Sequence, residues 1–182
     1  MKLHIIHGNR RAERLPLLLE QLQSQNITDY ELWDGVYLPS IKAGINAAHK
    51  QIVEYAKIAE WPEVCIAEDD IVFTNHNSYK YFLEQKPKEF DIYLSMIYSG
   101  HEIKNGCVEK FTGMTLYMVA QRFYDTFLSV DSNEHIDIAL SGLGKYVVCE
   151  PFVAYQRNGF SSNTGKAEVY DSLLNGRNLY SG

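Results

Sequence analysis

The sequence predicts an α/β fold in which a mixed central sheet is flanked by helices. Strand-like apolar runs alternate along the chain with segments of helical periodicity. The run Val64-Cys65-Ile66-Ala67 is apolar throughout, as a strand covered on both faces is. A hairpin-like piece with Asn105-Gly106 at its turn interrupts the alternation, which makes the sheet mixed and not wholly parallel. A length of 182 residues suits a single domain, 1–182, in which 157–182 is rich in Gly, Ser and Asn and reads as a loop-rich tail.

Each element has its own signal. An apolar strand from Lys2 to His7 runs into Gly8-Asn9, and Leu15, Leu18, Leu19 and Leu22 then fall at helical spacing between Arg11 and Gln23. A second strand covers Tyr30 to Val36. Pro39-Ser40 starts a helix over about Ile41 to Glu60, with Ile45, Ala48, Ile52 and Tyr55 on one face, and Trp61-Pro62 stops it. The apolar strand at Val64 to Ala67 delivers the chain into Glu68-Asp69-Asp70. A helix over about Asn77 to Gln85, a strand from Asp91 to Tyr98, the hairpin and a strand from Thr112 to Val119 follow. Helices are expected over Gln121 to Val130 and Ser132 to Ser141, then a strand over Tyr146 to Cys149 and a short helix near Ala167 to Leu174.

Composition removes several functions. With a net charge of −6 and no dense Lys/Arg run, the chain lacks the phosphate-tracking surface of a nucleic-acid binder. Cys65, Cys107 and Cys149 are an odd number without CxxC spacing. Two of them lie in apolar runs, so they read as free thiols of a protein kept in a reducing cytoplasm. The apolar stretch within Met1 to Arg11 is too short for a signal peptide, and no segment reaches the about eighteen apolar residues of a membrane span, so any membrane association is expected to be peripheral. No HExxH, GxGxxG, P-loop or Ser-nucleophile elbow is present.

What remains is the acidic triplet. Ligands of open α/β sheets bind beyond the carboxyl ends of strands, where Glu68-Asp69-Asp70 is expected. Taken alone the triplet also reads as a solvated loop or a helix cap. Extended alternation would point Glu68 and Asp70 to one side and Asp69 to the other, at the solvent end of the strand, where little packing would rest on them. Such hard oxygen donors suit Mg²⁺ or Mn²⁺ bridging a diphosphate.

Further segments in chain order resemble the family 25 glycosyltransferases, which build lipooligosaccharide and related glycans. Ile5-Ile6-His7-Gly8-Asn9-Arg10-Arg11-Ala12-Glu13-Arg14 is similar to that family's first strand and Arg-Arg-x-Glu-Arg loop. Gly44 to His49 resembles its Gly-x-x-x-x-His segment, with Ala48 where the family usually has Ser. Cys65 to Ile71 resembles its Leu-Glu-Asp-Asp-Val signature, and Gly113 to Tyr117 its Gly-x-x-x-Tyr strand. Pro151 to Gln156 with Ser161-Ser162 resembles the closing Pro-x-x-x-x-Gln and Ser-Asp segments, Ser162-Asn163 replacing Ser-Asp.

The resemblance implies a GT-A fold, a nucleoside-diphosphate sugar donor (a UDP-hexose is favoured), a glycan or lipooligosaccharide acceptor, and a divalent metal, Mn²⁺ or Mg²⁺. On this reading Asp70 and Glu68 hold the metal, and Glu68 and Asp69 face the donor. Arg10 and Arg14 contact its phosphate or base, unless they are a solvated helical turn. Asp137 is the candidate general base, with Asp131 and Glu134 as competitors. In a helix from Ser132, Glu134 would answer to the helix dipole in the first turn, whereas Asp137 would lie further in. His49 reads equally as a structural histidine or a substrate contact, and the 13 Tyr and 8 Phe as half-buried core or sugar-stacking faces. The alternatives are a binding protein of the same fold without turnover and a metal-dependent nucleotidyltransferase.

Overall fold

A computed structural model describes residues 1–103, 107–161 and 165–182. The expected Asn105-Gly106 turn and the Ser162-Asn163 pair lie outside them. In chain order the strands and helices are β1 (Leu3–His7), α1 (Arg14–Ser24), β2 (Tyr30–Asp34), α2 (Ile41–Ile58), β3 (Glu63–Glu68), β4 (Ile71–Phe73), α3 (Ser78–Glu84), β5 (Ile92–Leu94) and β6 (Ser99–Ile103). They continue with β7 (Cys107–Thr112), β8 (Leu116–Ala120), α4 (Tyr124–Ser129), α5 (Ile136–Leu140), β9 (Tyr146–Val148), β10 (Ala154–Gln156), β11 (Gly159–Ser161) and β12 (Lys166–Glu168).

Among the described residues the main sheet has eight strands in the order β2-β1-β3-β8-β5-β9-β7-β6. Strand β1 runs parallel to both β2 and β3, β8 is antiparallel to β3 and β5, and β5 is parallel to β9. The sheet is therefore mixed, as the sequence predicts. Side-chain alternation feeds two cores. Val64 and Ile66 of β3, with Tyr117 and Val119 of β8, pack with residues of α2, α4 and α5. Cys65 and Ala67, with Leu116 and Met118, pack on the other face with Leu18 and Leu22 of α1 and Tyr79 and Phe82 of α3. Both faces being covered explains why β3 reads as an unbroken apolar run.

Several elements differ from expectation. The helix expected over Ser132 to Ser141 is only α5, preceded by His135 in an extended conformation. The chain before it is clamped by α2. Asn46 Nδ2 donates to the carbonyls of Asp131 (3.0 Å) and Glu134 (3.4 Å), and Lys50 Nζ donates to the Val130 carbonyl (2.6 Å). Tertiary donors have taken the carbonyls that local turns would have used, and the local helix signal loses. The strand expected from Thr112 to Val119 is broken at Gly113, whose φ of +106° ends β7 before β8 begins. The tail forms the two-stranded β11–β12 ribbon and a 3-10 turn at Tyr170–Leu174 where a helix over Ala167 to Leu174 was expected.

Candidate active site

Glu68 is the last residue of β3. Asp69 and Asp70 form the turn into β4, which leaves the main sheet and pairs with β10. Because the strand ends at Glu68, its alternation ends there too, and the expected opposition of Asp69 to its neighbours is not observed. Arg14 Nη1 donates to Asp69 Oδ1 at 2.7 Å and to Asp70 Oδ2 at 3.0 Å. One guanidinium from the start of α1 thus bridges two neighbouring carboxylates.

The three acids have different surroundings. Asp69 Oδ2 accepts the Gly8 N–H (3.1 Å) and lies 2.8 Å from His7 Nδ1, so this carboxylate ties the exit of β1 to the exit of β3. Asp70 Oδ2 also accepts from Gln156 Nε2 at 3.1 Å, whereas Asp70 Oδ1 is buried without a hydrogen-bond partner. Contrary to the expected solvent-end position, Asp70 is only 6% exposed. Burial, and next the charge of Glu68, raise its carboxyl from the ordinary range to about 7, against the lowering influence of Arg14. Glu68 is more open, with its side chain 26% exposed and its Oε1 3.4 Å from His49 Nε2.

These acids line a cavity of about 640 Å³ together with Arg10, His49, Asp137 and Gln156. The two arginines play different parts. Arg14 is engaged by both aspartates and by the Phe160 carbonyl, which accepts from its Nη2 at 3.1 Å. The Arg10 guanidinium lies 4.1 Å from the centre of the Tyr37 ring, and the Arg10 N–H donates to the Tyr37 hydroxyl at 3.0 Å. Tyr37 and Tyr98, both on the cavity wall, carry no distinguishing signal in the sequence.

Of the three acids between 131 and 137, only Asp137 lines the cavity. It does so from the first turn of α5 and not from deep within a longer helix, which removes the dipole argument for preferring it to Glu134. Its Oδ2 accepts the Gly113 N–H at 3.1 Å and its Oδ1 the Ile138 N–H at 2.9 Å. Glu134 pairs with Lys42 Nζ at 3.0 Å, and Asp131 accepts the Asn133 N–H at 2.8 Å. The cysteines are free, as expected, and burial raises the Cys65 thiol to about 12. Among the described residues no helix is long and apolar enough to cross a membrane.

No family model matches the sequence, and no curated protein matches it. Solved structures do resemble the fold. A197 from STIV superposes with a TM-score of 0.56 at 13% identity, over 100% of this chain and 95% of its own. A glycosyltransferase involved in the glycosylation of the major capsid of PBCV-1 gives 0.51 at 10% identity, over 82% and 81%. The galactosyltransferase LgtC, solved with donor and acceptor sugar analogs, gives 0.51 at 10% identity, over 82% and 73%. At such identities the likeness is one of architecture: the chain has a GT-A-like fold, a mixed central sheet flanked by helices.

Proposed function

We propose that the protein transfers a sugar from a nucleoside-diphosphate sugar to a glycan acceptor, in the manner of the family 25 glycosyltransferases it resembles, with Mn²⁺ or Mg²⁺ at the acidic turn. The observation that carries this reading is the unpartnered, buried Oδ1 of Asp70 beside Glu68 at the carboxyl end of β3, two residues that both line a cavity of about 640 Å³. A buried carboxylate oxygen without a donor is costly, and burial with the neighbouring charge of Glu68 raises the Asp70 carboxyl to about 7. The donor set fits a divalent ion of this kind, which binds through one or two carboxylates plus substrate phosphates. Among the described residues no group of three or more His, Cys, Asp or Glu could hold a metal alone, so on this reading the diphosphate completes the site.

Asp70 and Glu68 would hold the ion, which when bound would offset the negative charge that grows on the leaving nucleoside diphosphate. Asp69 and Arg14 keep the turn in place. Arg10, stacked on Tyr37 at the cavity wall, is placed to meet the base or phosphate of the donor. Asp137 would take the proton of the acceptor hydroxyl, its carboxylate being aimed by the Gly113 and Ile138 N–H groups. A UDP-hexose donor, a lipooligosaccharide-type acceptor, a cytoplasmic setting and peripheral membrane contact belong to this proposal.

A second reading, a binding protein without turnover, is favoured by the way Arg14 already bridges Asp69 and Asp70. Incubating the protein with UDP-hexoses and Mn²⁺ separates the readings. Free sugar or glycosylated acceptor together with UDP supports transfer. Binding with no product supports the second reading, and pyrophosphate release on incubation with a sugar phosphate and a nucleoside triphosphate would mean nucleotidyl transfer.

A further inference from the structure

His49 on α2 is 1% exposed and meets two polar groups. Its Nδ1 lies 2.6 Å from the Tyr117 hydroxyl and its Nε2 lies 3.4 Å from Glu68 Oε1. Tyr117 is fully buried in β8, opposite Ile66 of β3, and among the described residues its hydroxyl has no other hydrogen-bond partner. Those surroundings determine where the imidazole carries hydrogen. A neutral ring protonated at Nδ1 would leave the phenol O–H a buried donor without an acceptor, which is costly, and would turn the Nε2 lone pair toward a carboxylate. With the phenol donating to Nδ1, the hydrogen sits on Nε2, the nitrogen 3.4 Å from Glu68 Oε1, which is an ion-pair distance and not an aligned hydrogen bond. Burial lifts the Tyr117 phenol well above its ordinary value, so it keeps the proton it donates.

Glu68 has reason to be held. It is the most open of the three acids, and among the described residues no other basic side chain lies within ion-pair distance of its carboxylate. Asp69 and Asp70 have Arg14.

We propose that Tyr117 and His49 form a positioning pair for Glu68: the phenol fixes the imidazole, and the imidazole Nε2–H fixes the carboxylate in the orientation that receives the cation. This rests on the glycosyl-transfer reading and adds two positioning residues to it. Donors that orient a carboxylate ligand from behind typically change metal affinity by about 10–100-fold when removed.

Two measurements test the pair. ¹⁵N NMR of the imidazole in EDTA should show His49 protonated at Nε2, and a neutral ring protonated at Nδ1 overturns the proposal whether or not the protein binds any ligand. Calorimetric titration of Mn²⁺ in the presence of UDP should show His49→Gln, whose amide can offer an N–H near the position of Nε2, within about threefold of wild type. His49→Met and Tyr117→Phe should weaken binding about tenfold or more. Should His49→Met fail to fold, Tyr117→Phe, which removes one oxygen and keeps the ring, carries the test. Wild-type affinity in Tyr117→Phe overturns the pair and leaves the glycosyl-transfer reading standing. A wild type that binds no Mn²⁺ with UDP overturns that reading, and the assignment of Glu68 falls with it.

Discussion

Asp70 holds its proton more tightly in the folded protein than in the unfolded chain, because burial and Glu68 raise its carboxyl from 3.8 to about 7. Folding therefore takes up a proton between about pH 4 and pH 7. Stability contributed by this group is present at the acid end of that window and is lost as pH rises through it, the reverse of a carboxylate whose ion pair outweighs its burial. In EDTA the wild-type unfolding free energy should fall from pH 5 to pH 8 relative to Asp70→Asn, by a few kcal/mol at most at about 1.4 kcal/mol per pKa unit. Denaturant titrations that give both proteins the same pH slope would contradict the raised carboxyl. Asp137 is tested differently: Asp137→Asn should lower sugar transfer about a hundredfold or more with little change in donor affinity. Transfer at the wild-type rate would return the role to another group. At this scale the sequence showed the triplet, since three acids after an apolar strand are legible as chemistry. It did not show that Arg14 would bridge two of them or that Tyr37 would carry Arg10, because nothing local encodes partners brought together by the sheet.

Helix α2 organises two walls of the site. Its Ser40 cap accepts the Ala43 N–H, its Asn46 and Lys50 grip the chain before α5, and its His49 reaches Glu68. Near its start the helix backbone meets the loop after β2 so closely that a Cβ on Gly44 would lie 2.5 Å from the Val36 carbonyl oxygen. Alanine is the better helix former by about 1 kcal/mol, but forced contacts of this kind cost about 1–3 kcal/mol. Gly44→Ala should therefore lower the urea midpoint despite its improved propensity, and a raised midpoint would mean that the Val36 loop yields freely. The same helix explains why the reading of α5 failed. Ser132, Glu134 and the following apolar residues give a fair helix start, yet side chains from α2 hold the carbonyls of Val130, Asp131 and Glu134 in a non-helical path. Helix α2 was legible because its periodicity and its Ser40 cap agree, whereas α5 depends on a distant element.

The whole molecule is a covered mixed sheet, and that much was readable because β3 is apolar on both faces and most strands and helices alternate. The strand order was not readable, since placing β8 between β3 and β5 is a matter of which edges meet and leaves no mark on local pattern. That placement matters for the site. It sets Tyr117 beside Ile66, behind the acids, and brings Gly113 and Asp137 to the same cavity as Asp70. The fold alone serves many chemistries, so the central claim rests on the acidic turn and not on the architecture. Isothermal calorimetry of UDP binding with Mn²⁺ and with EDTA tests that claim most directly. The account predicts saturable binding with Mn²⁺ that is lost in EDTA and in Asp70→Asn. Equal affinity with and without the metal, or unchanged binding in Asp70→Asn, would contradict it.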